Sequence, residues 1–389
     1  MSEDPVVYTI FLIFTGAAIL ATVALYARQA LLISYIVLGI CLGPWGAGLV
    51  PDPDMIKAIA HIGIIFLLFL IGLNLPVQKF FHLLRKTTIV TGLSSLLFMV
   101  VGLALGRLFG FGLGESLVIG FTLMFSSTII GLKLLPTTVL HHRHTGEVMI
   151  SILLLQDVIA IVVLLALEGM SRGDMPLLEM GSLFLTLPLM FLFAWLVEHF
   201  ILSELIRRFD KIQEYIFLLA IGWCLGMAEL AALFGLSHEI GAFIAGVSLA
   251  TGIVSQFIAE RLKPLRDFFL VIFFFSIGAN LNLAVLQDVI LPALTLAVVM
   301  LALKPVVFHR LLKSSGESGR RSLEVGFRLG QMSEFSLLIA VMALEVGVIR
   351  AEVSYLIQAS TVLTFLVSSY WIVMRYPTPV AVSDSLRKD

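Results

Sequence analysis

Charge is scarce in this chain. Only 13% of its 389 residues are Asp, Glu, Lys or Arg, whereas a soluble globular domain carries about 25%. That shortfall excludes an ordinary water-soluble fold, and a net charge of −1 leaves no basic field for nucleic acid. Cysteine is nearly absent as well. Cys41 and Cys224 both fall inside apolar runs, which argues for core positions and against a disulfide framework or a thiolate metal site. No basic residue precedes the first apolar run, so Met1-Ser2-Glu3-Asp4-Pro5 does not resemble a cleavable signal peptide. That run is expected to be retained as a span. No glycine-rich dinucleotide fingerprint follows a strand pattern.

What the chain has instead is long apolar runs, with 59% hydrophobic residues and a mean hydropathy of +1.06. They predict an all-α polytopic membrane protein with about thirteen transmembrane helices. The spans are expected near residues 6–26, 30–50, 57–76, 88–107, 115–137, 147–169, 179–202, 214–235, 238–256, 267–282, 288–308, 322–347 and 352–374. The tenth is short enough to be tilted or broken. With the N-terminus outside and alternation through thirteen spans, twenty of the 25 Lys and Arg fall in inside loops or the C-terminal tail and four outside. That bias follows the positive-inside rule and places the C-terminus, with the tail 375–389, in the cytoplasm.

Asp157 is the sole charged residue in the apolar run 148–167. A carboxylate near a bilayer centre costs several kcal/mol or more and marks a functional site by default. A buried carboxylate can hold either a proton or a small cation, so Gln156-Asp157 points to ion–proton exchange. The carbonyl oxygen of Gln156 could assist the cation. Competition for one site then couples the two ions.

Two distant segments look alike. Gly72-Leu73-Asn74-Leu75 recurs as Gly278-Ala279-Asn280-Leu281, at an offset of 206 residues. A similar offset carries Ser126-Ser127-Thr128 in the fifth span to Ser333-Glu334 in the twelfth, and both preceding second and ninth spans are glycine-rich. The offset equals seven spans, an odd number, so the halves run in opposite directions. Inverted repeats place ion sites at interrupted helices near the midplane in secondary transporters. One transporter domain is expected, with repeat 1 at 6–169, a linker helix at 179–202 and repeat 2 at 214–374. Both polar patches could hold unwound backbone whose carbonyls and half-helix ends bind a cation. Alternatively, the hydroxyls bond their own helix.

Lys304 is alone among charges in the run 289–308 and is followed by Pro305. It could be the counter-ion of Asp157, or it could snorkel to the inner interface. Glu334 could be a second titratable group or a fixed partner of a helix end or of Lys304. His238-Glu239 reads as a helix start capped by Ser237. His141, His142 and His144 with Arg143 read as a solvated inner loop rather than a metal or pH-sensing site. The segment 256–267 reads as a basic amphipathic linker on the inner leaflet, and the loop 313–321 as a further contact for lipid head groups or a regulator.

Taken together, Gly43-Pro44-Trp45-Gly46, Phe69-Leu70-Ile71-Gly72-Leu73, Phe125-Ser126-Ser127-Thr128, Leu155-Gln156-Asp157, Gly241-Ala242-Phe243-Ile244-Ala245-Gly246, Pro264-Leu265-Arg266-Asp267-Phe268-Phe269, Phe274-Phe275-Ser276-Ile277-Gly278 and Ser333-Glu334-Phe335 make the whole chain resemble the monovalent cation:proton antiporter-2 family. Within it, the chain is most similar to the membrane domain of Kef-type potassium–proton antiporters. The resemblance implies a sodium–proton antiporter-like fold, with the fifth and twelfth spans unwound and crossing beside Asp157. It implies a transporter rather than an enzyme, with an elevator-like core of spans 4–6 and 11–13 and a homodimeric scaffold in a bacterial inner membrane. Membrane lipids are its surroundings, and no cofactor is implied beyond the transported K⁺ or Na⁺ and H⁺. Asp157 would carry cation and proton, with Gln156, Ser126, Ser127 and Thr128 around it and Lys304, Ser333 and Glu334 in support. Glutamine before the essential Asp resembles the electroneutral, often potassium-preferring branch. Sodium exchange, a ligand-gated potassium-efflux channel and a non-transporting sensor remain the alternatives. The family often has an acidic residue at the place of Asn74 and glycine at that of Ser333. Kef-type proteins usually continue into a cytosolic nucleotide-binding domain, so a separate or truncated regulatory domain is expected as a partner.

Overall fold

The computed structural model describes residues 5–27, 29, 31–50, 53–73, 77–133, 144–171, 177–209, 211–234, 236–250 and 255–378. Among them there is no strand. The helices are α1 (Pro5–Tyr26), α2 (Leu31–Leu42), α3 (Pro53–Leu73), α4 (Val77–Leu108), α5 (Leu113–Leu123), α6 (Thr128–Lys133), α7 (His144–Ser171) and α8 (Leu177–Val197). A π turn, Glu198–Leu202, carries α8 into α9 (Ser203–Arg208). There follow α10 (Gln213–Leu233), α11 (His238–Leu249), α12 (Ser255–Asn280), α13 (Leu283–Ser314), α14 (Gly319–Arg328), α15 (Glu334–Glu345) and α16 (Ala351–Arg375). Each predicted span carries helix. Seven helices among the described residues are long and apolar enough to cross a bilayer by themselves, and several others are shorter apolar helices. Two of the predicted spans are split, into α5 with α6 and α14 with α15.

The chain divides into two compact units, one of residues 1–49, 82–167 and 278–389, the other of 50–81 and 168–277. In the first, α13 packs on α14 and α16, and α15 lies between α5 and α16. In the second, α11 packs on α3, α8 and α10.

Two helices expose apolar faces and turn polar groups inward. On α4 the exposed stripe is Ile89, Leu93, Leu97 and Val100, while Thr91, Ser94, Ser95 and Phe98 are buried. On α13 Leu291, Leu294 and Val298 face outward and Lys304 is buried. Apolar side chains cost nothing against lipid tails, whereas polar groups must find partners within the protein.

Glycines let backbones touch in both units. In the second unit, a Cβ on Gly246 of α11 would stand 2.0 Å from the Phe69 carbonyl oxygen of α3, and one on Gly72 of α3 would stand 2.5 Å from that of Phe243. In the first unit, Gly278 meets the Ile36 carbonyl at 2.0 Å by the same measure, and Gly43 meets Ala279 Cα at 2.7 Å. Gly72 and Gly278 are the residues aligned by the sequence repeat. Because backbone cannot yield as a flexible side chain can, Gly246→Ala is expected to cost about 1–3 kcal/mol by overpacking. Gly92→Ala, with nothing within 4 Å, should be neutral or slightly stabilising. Thermal unfolding in detergent compares the two, and equal midpoints would refute this close-packing account.

The predicted amphipathic segment is the first half of α12, which continues through Pro264. Its Ile258, Ala259 and Leu262 are buried while Glu260, Arg261 and Lys263 are exposed. Ser237 caps α11 through Ile240 N–H as predicted, at 3.4 Å. The buried Glu239 beside it accepts a bond from His61 at 2.7 Å, a partner that a local reading of the sequence cannot supply. Arg350, exposed ahead of α16, donates to Glu115 at the start of α5 at 2.8 Å. That carboxylate raises the guanidinium pKa further above its usual range.

Candidate functional site: two crossed helix breaks

The site lies wholly in the first unit, where the two split spans meet. Between α5 and α6, residues 124–127 are not helical, and between α14 and α15 residues 329–333 are not. An interrupted helix strands N–H and C=O groups that water would otherwise satisfy. Side chains supply the missing partners here. Gln156 of α7 clamps the first break, its Oε1 accepting from Ser126 N–H at 3.0 Å and its Nε2 donating to the Met124 carbonyl at 3.1 Å. Ser127 Oγ accepts from Ile130 N–H at 3.1 Å and so caps α6. At the second break, Ser333 Oγ caps α15 by accepting from Phe335 N–H at 3.1 Å. Met332 N–H donates to Thr364 Oγ1 at 3.1 Å.

The breaks are also bonded to each other. Ser126 Oγ donates to the Leu329 carbonyl at 2.8 Å. Thr128, the first residue of α6, donates to the carboxylate of Glu334, the first residue of α15. Ser336 Oγ donates to the Thr122 carbonyl. Lys304, fully buried, reaches in from α13 and donates to the Phe125 carbonyl of one break and the Gln331 carbonyl of the other, the latter at 3.0 Å, with Ser126 Oγ at 3.4 Å. Its ammonium lies 5.4 Å from the centre of the Phe98 ring. Half-helix C-termini carry partial negative charge and N-termini partial positive charge. Lys304 thus sits against carbonyls just beyond the former, and Glu334 against the latter.

Asp157, next to the Gln156 clamp, is only 6% exposed. Among the described residues its carboxylate has neither a hydrogen bond nor an ion pair. The Glu334 carboxylate is its electrostatic neighbour.

The structure brings together all the residues singled out for the site: Gln156, Asp157, Ser126, Ser127, Thr128, Lys304, Ser333 and Glu334. Two pairings differ from expectation. Lys304 neither pairs with Asp157 nor snorkels to an interface, because four residues of unwound backbone on one side and five on the other leave carbonyls that need a donor. Gln156 does not direct a free oxygen at a cation, since both ends of its amide are engaged by backbone. The hydroxyls of Ser126 and Thr128 bond across to the other break rather than to their own helix. His144 is the first residue of α7 and contacts Glu317 at 2.6 Å, while His141, His142, Arg143 and Asn74 lie outside the described residues. Sequence reasoning missed the support from α16, where Ser368 Oγ donates to Gln331 Oε1 at 2.9 Å. Its signal was present as buried Ser354, Gln358, Thr361, Thr364 and Ser368, a polar stripe at helical spacing within a span.

Two interrupted helices that meet beside a buried carboxylate are the arrangement expected of a secondary transporter. A sequence profile described as the transmembrane region of sodium/hydrogen exchangers matches residues 10–374, and the chain belongs to that family. It is a multi-pass membrane protein of the cation–proton antiporter class. It is 29% identical over 370 residues to the iron transporter MagA of Paramagnetospirillum magneticum, covering 92% of this chain and 84% of that protein. It is 30% identical over 351 residues to K(+) efflux antiporter 4 of Arabidopsis thaliana, covering 87% of this chain but 58% of that protein. The fold matches the solved sodium proton antiporter MjNhaP1 of Methanocaldococcus jannaschii with TM-score 0.64 at 16% identity, over 93% of this chain and 97% of that one.

Proposed function

We propose that this protein exchanges a monovalent cation for a proton, one for one, with K⁺ ahead of Na⁺. Asp157 binds the two alternately. The observation that carries this reading is the Asp157 carboxylate itself, buried yet without a hydrogen bond or ion pair among the described residues. A charge so placed needs a cation or a proton. The hydroxyls and carbonyls of the crossed breaks are hard oxygen donors suited to a partly dehydrated alkali ion. Gln156 supports electroneutral exchange because it leaves one carboxylate at this point of α7. The preference for potassium draws on Gln156 and on the names of the Arabidopsis relatives.

The two breaks, aligned by the repeat offset, support the division into repeats at 6–169 and 214–374 around the helix 179–202. In this reading, spans 4–6 and 11–13 move as an elevator against a homodimeric scaffold in a bacterial inner membrane. The N-terminus lies outside and the C-terminus in the cytoplasm, and no cofactor takes part. The chain spans about three fifths of the length of the Arabidopsis relatives. Regulation by a cytosolic domain, attached or separate, is proposed from the resemblance to Kef-type antiporters alone.

Proteoliposomes carrying a lumenal pH dye test the proposal. Adding K⁺ outside should alkalinise the lumen without a membrane potential, with Na⁺ weaker. Cation flux without proton movement would identify a channel, and no response to either ion would reject transport of both. An arm with Fe²⁺ examines the substrate named for MagA.

A further inference from the structure

Arg328 is among the bulkiest side chains fully enclosed by the protein, only 1% exposed. It is the last residue of α14, directly before the second break. Its Nε donates to Glu324 at 3.0 Å and its Nη2 to the Pro377 carbonyl at 2.9 Å, with the guanidinium 5.6 Å from the Tyr376 ring centre. Phe327 beside it stacks on Trp371 at 5.6 Å. The end of α14 is thus gripped by the chain as it leaves α16. Apolar side chains of similar volume would fill this space at less desolvation cost, whereas the guanidinium ties the end of α14 to residues 376–377.

That geometry belongs to the ion site. The Arg328 carbonyl accepts from Gln331 Nε2 at 2.9 Å, and the Gln331 carbonyl accepts from Lys304. The next residue, Leu329, accepts from Ser126 of the other break. We infer that Arg328 is a positioning residue for the crossed breaks, and that the segment 376–377 is the input through which the C-terminal chain sets the ion site. A force or ligand that displaces residues 376–377 breaks the bond from Arg328 to the Pro377 carbonyl, and with it shifts residues 329–333. The inference rests on the ion site proposed above.

The test uses full-length Arg328→Gln, Arg328→Lys and Tyr376→Ala. Amide exchange read by mass spectrometry reports the position of the break whether or not ions move. Residues 329–333 should exchange about tenfold faster in Arg328→Gln and Tyr376→Ala, with α4 unchanged. In proteoliposomes the apparent KM for K⁺ or Na⁺ should rise about tenfold with Vmax within about twofold. Arg328→Lys, which keeps the Glu324 pair, should recover part of that loss. Wild-type exchange at 329–333 in the variants would overturn the inference, as would acceleration spread evenly through α4, which marks a merely structural role. If Arg328→Gln does not fold, Tyr376→Ala decides. If the wild-type protein moves neither ion, the proposed transport function fails while amide exchange still judges the positioning role.

Discussion

Asp157→Asn is expected to abolish cation-coupled proton movement while leaving the protein folded and at least as heat-stable as the wild type. Asparagine has nearly the same shape, so the packing around the buried position is kept. Removing the charge removes the cost of holding a carboxylate in a site where no described side chain pairs with it. The same change removes the only group at this point of α7 that can exchange a proton for a cation. Loss of flux should exceed about 100-fold, because amide and alkali ion cannot replace the charge interaction at a desolvated site. In the wild type, protons compete with the cation for Asp157. The apparent KM for the cation should therefore rise as pH falls, by up to about tenfold per unit at the acid limit, the slope of one proton displaced per cation. The variant should show neither flux nor that slope. Wild-type exchange by a folded Asp157→Asn protein would place the ion site elsewhere.

Lys304→Met is the second large effect, chiefly on stability. Methionine keeps much of the volume of the lysine stem, so little cavity opens. It cannot donate, and the carbonyls of Phe125 and Gln331 lose their bonds to the ammonium. Leaving buried acceptors unsatisfied costs about 1–3 kcal/mol each, so a loss of roughly 3 kcal/mol or more is expected. Guanidinium or thermal unfolding in detergent measures it. A double-mutant cycle with Asp157→Asn separates brace from counter-ion. If Lys304 neutralised Asp157, removing both charges would restore stability. As a brace between the breaks it should not be rescued, and full restoration would refute the geometry described above.

Much of the fold was legible in the chain because the solvent is so restrictive. A span must be about twenty apolar residues long, and a charge within one is conspicuous, so Asp157, Lys304 and Glu334 stood out without any structure. Gly72 and Gly278 were legible as points of close approach, since only glycine permits the backbone contacts they make. The split of two spans was legible from Ser126-Ser127-Thr128 and Ser333, whose hydroxyls offer the backbone bonds outside the helix. Pairing was not legible. Lys304 and Asp157 attract on paper in any fold, and nothing local says that a lysine will instead be held by carbonyls 179 and 27 residues away in sequence. Gln156 likewise reads as an ion ligand until Met124 and Ser126 are found against its amide.

The sequence by itself determined that this is a polytopic helical membrane protein, where its apolar segments lie, and which charges would be costly to bury in lipid. Composition and period decide those matters, because burial of polar groups in lipid is penalised residue by residue. Only the tertiary structure decided what each polar side chain does. Each unwound segment strands backbone groups by itself, but the groups that satisfy them come from the other break and from α7, α13 and α16, elements distant along the chain.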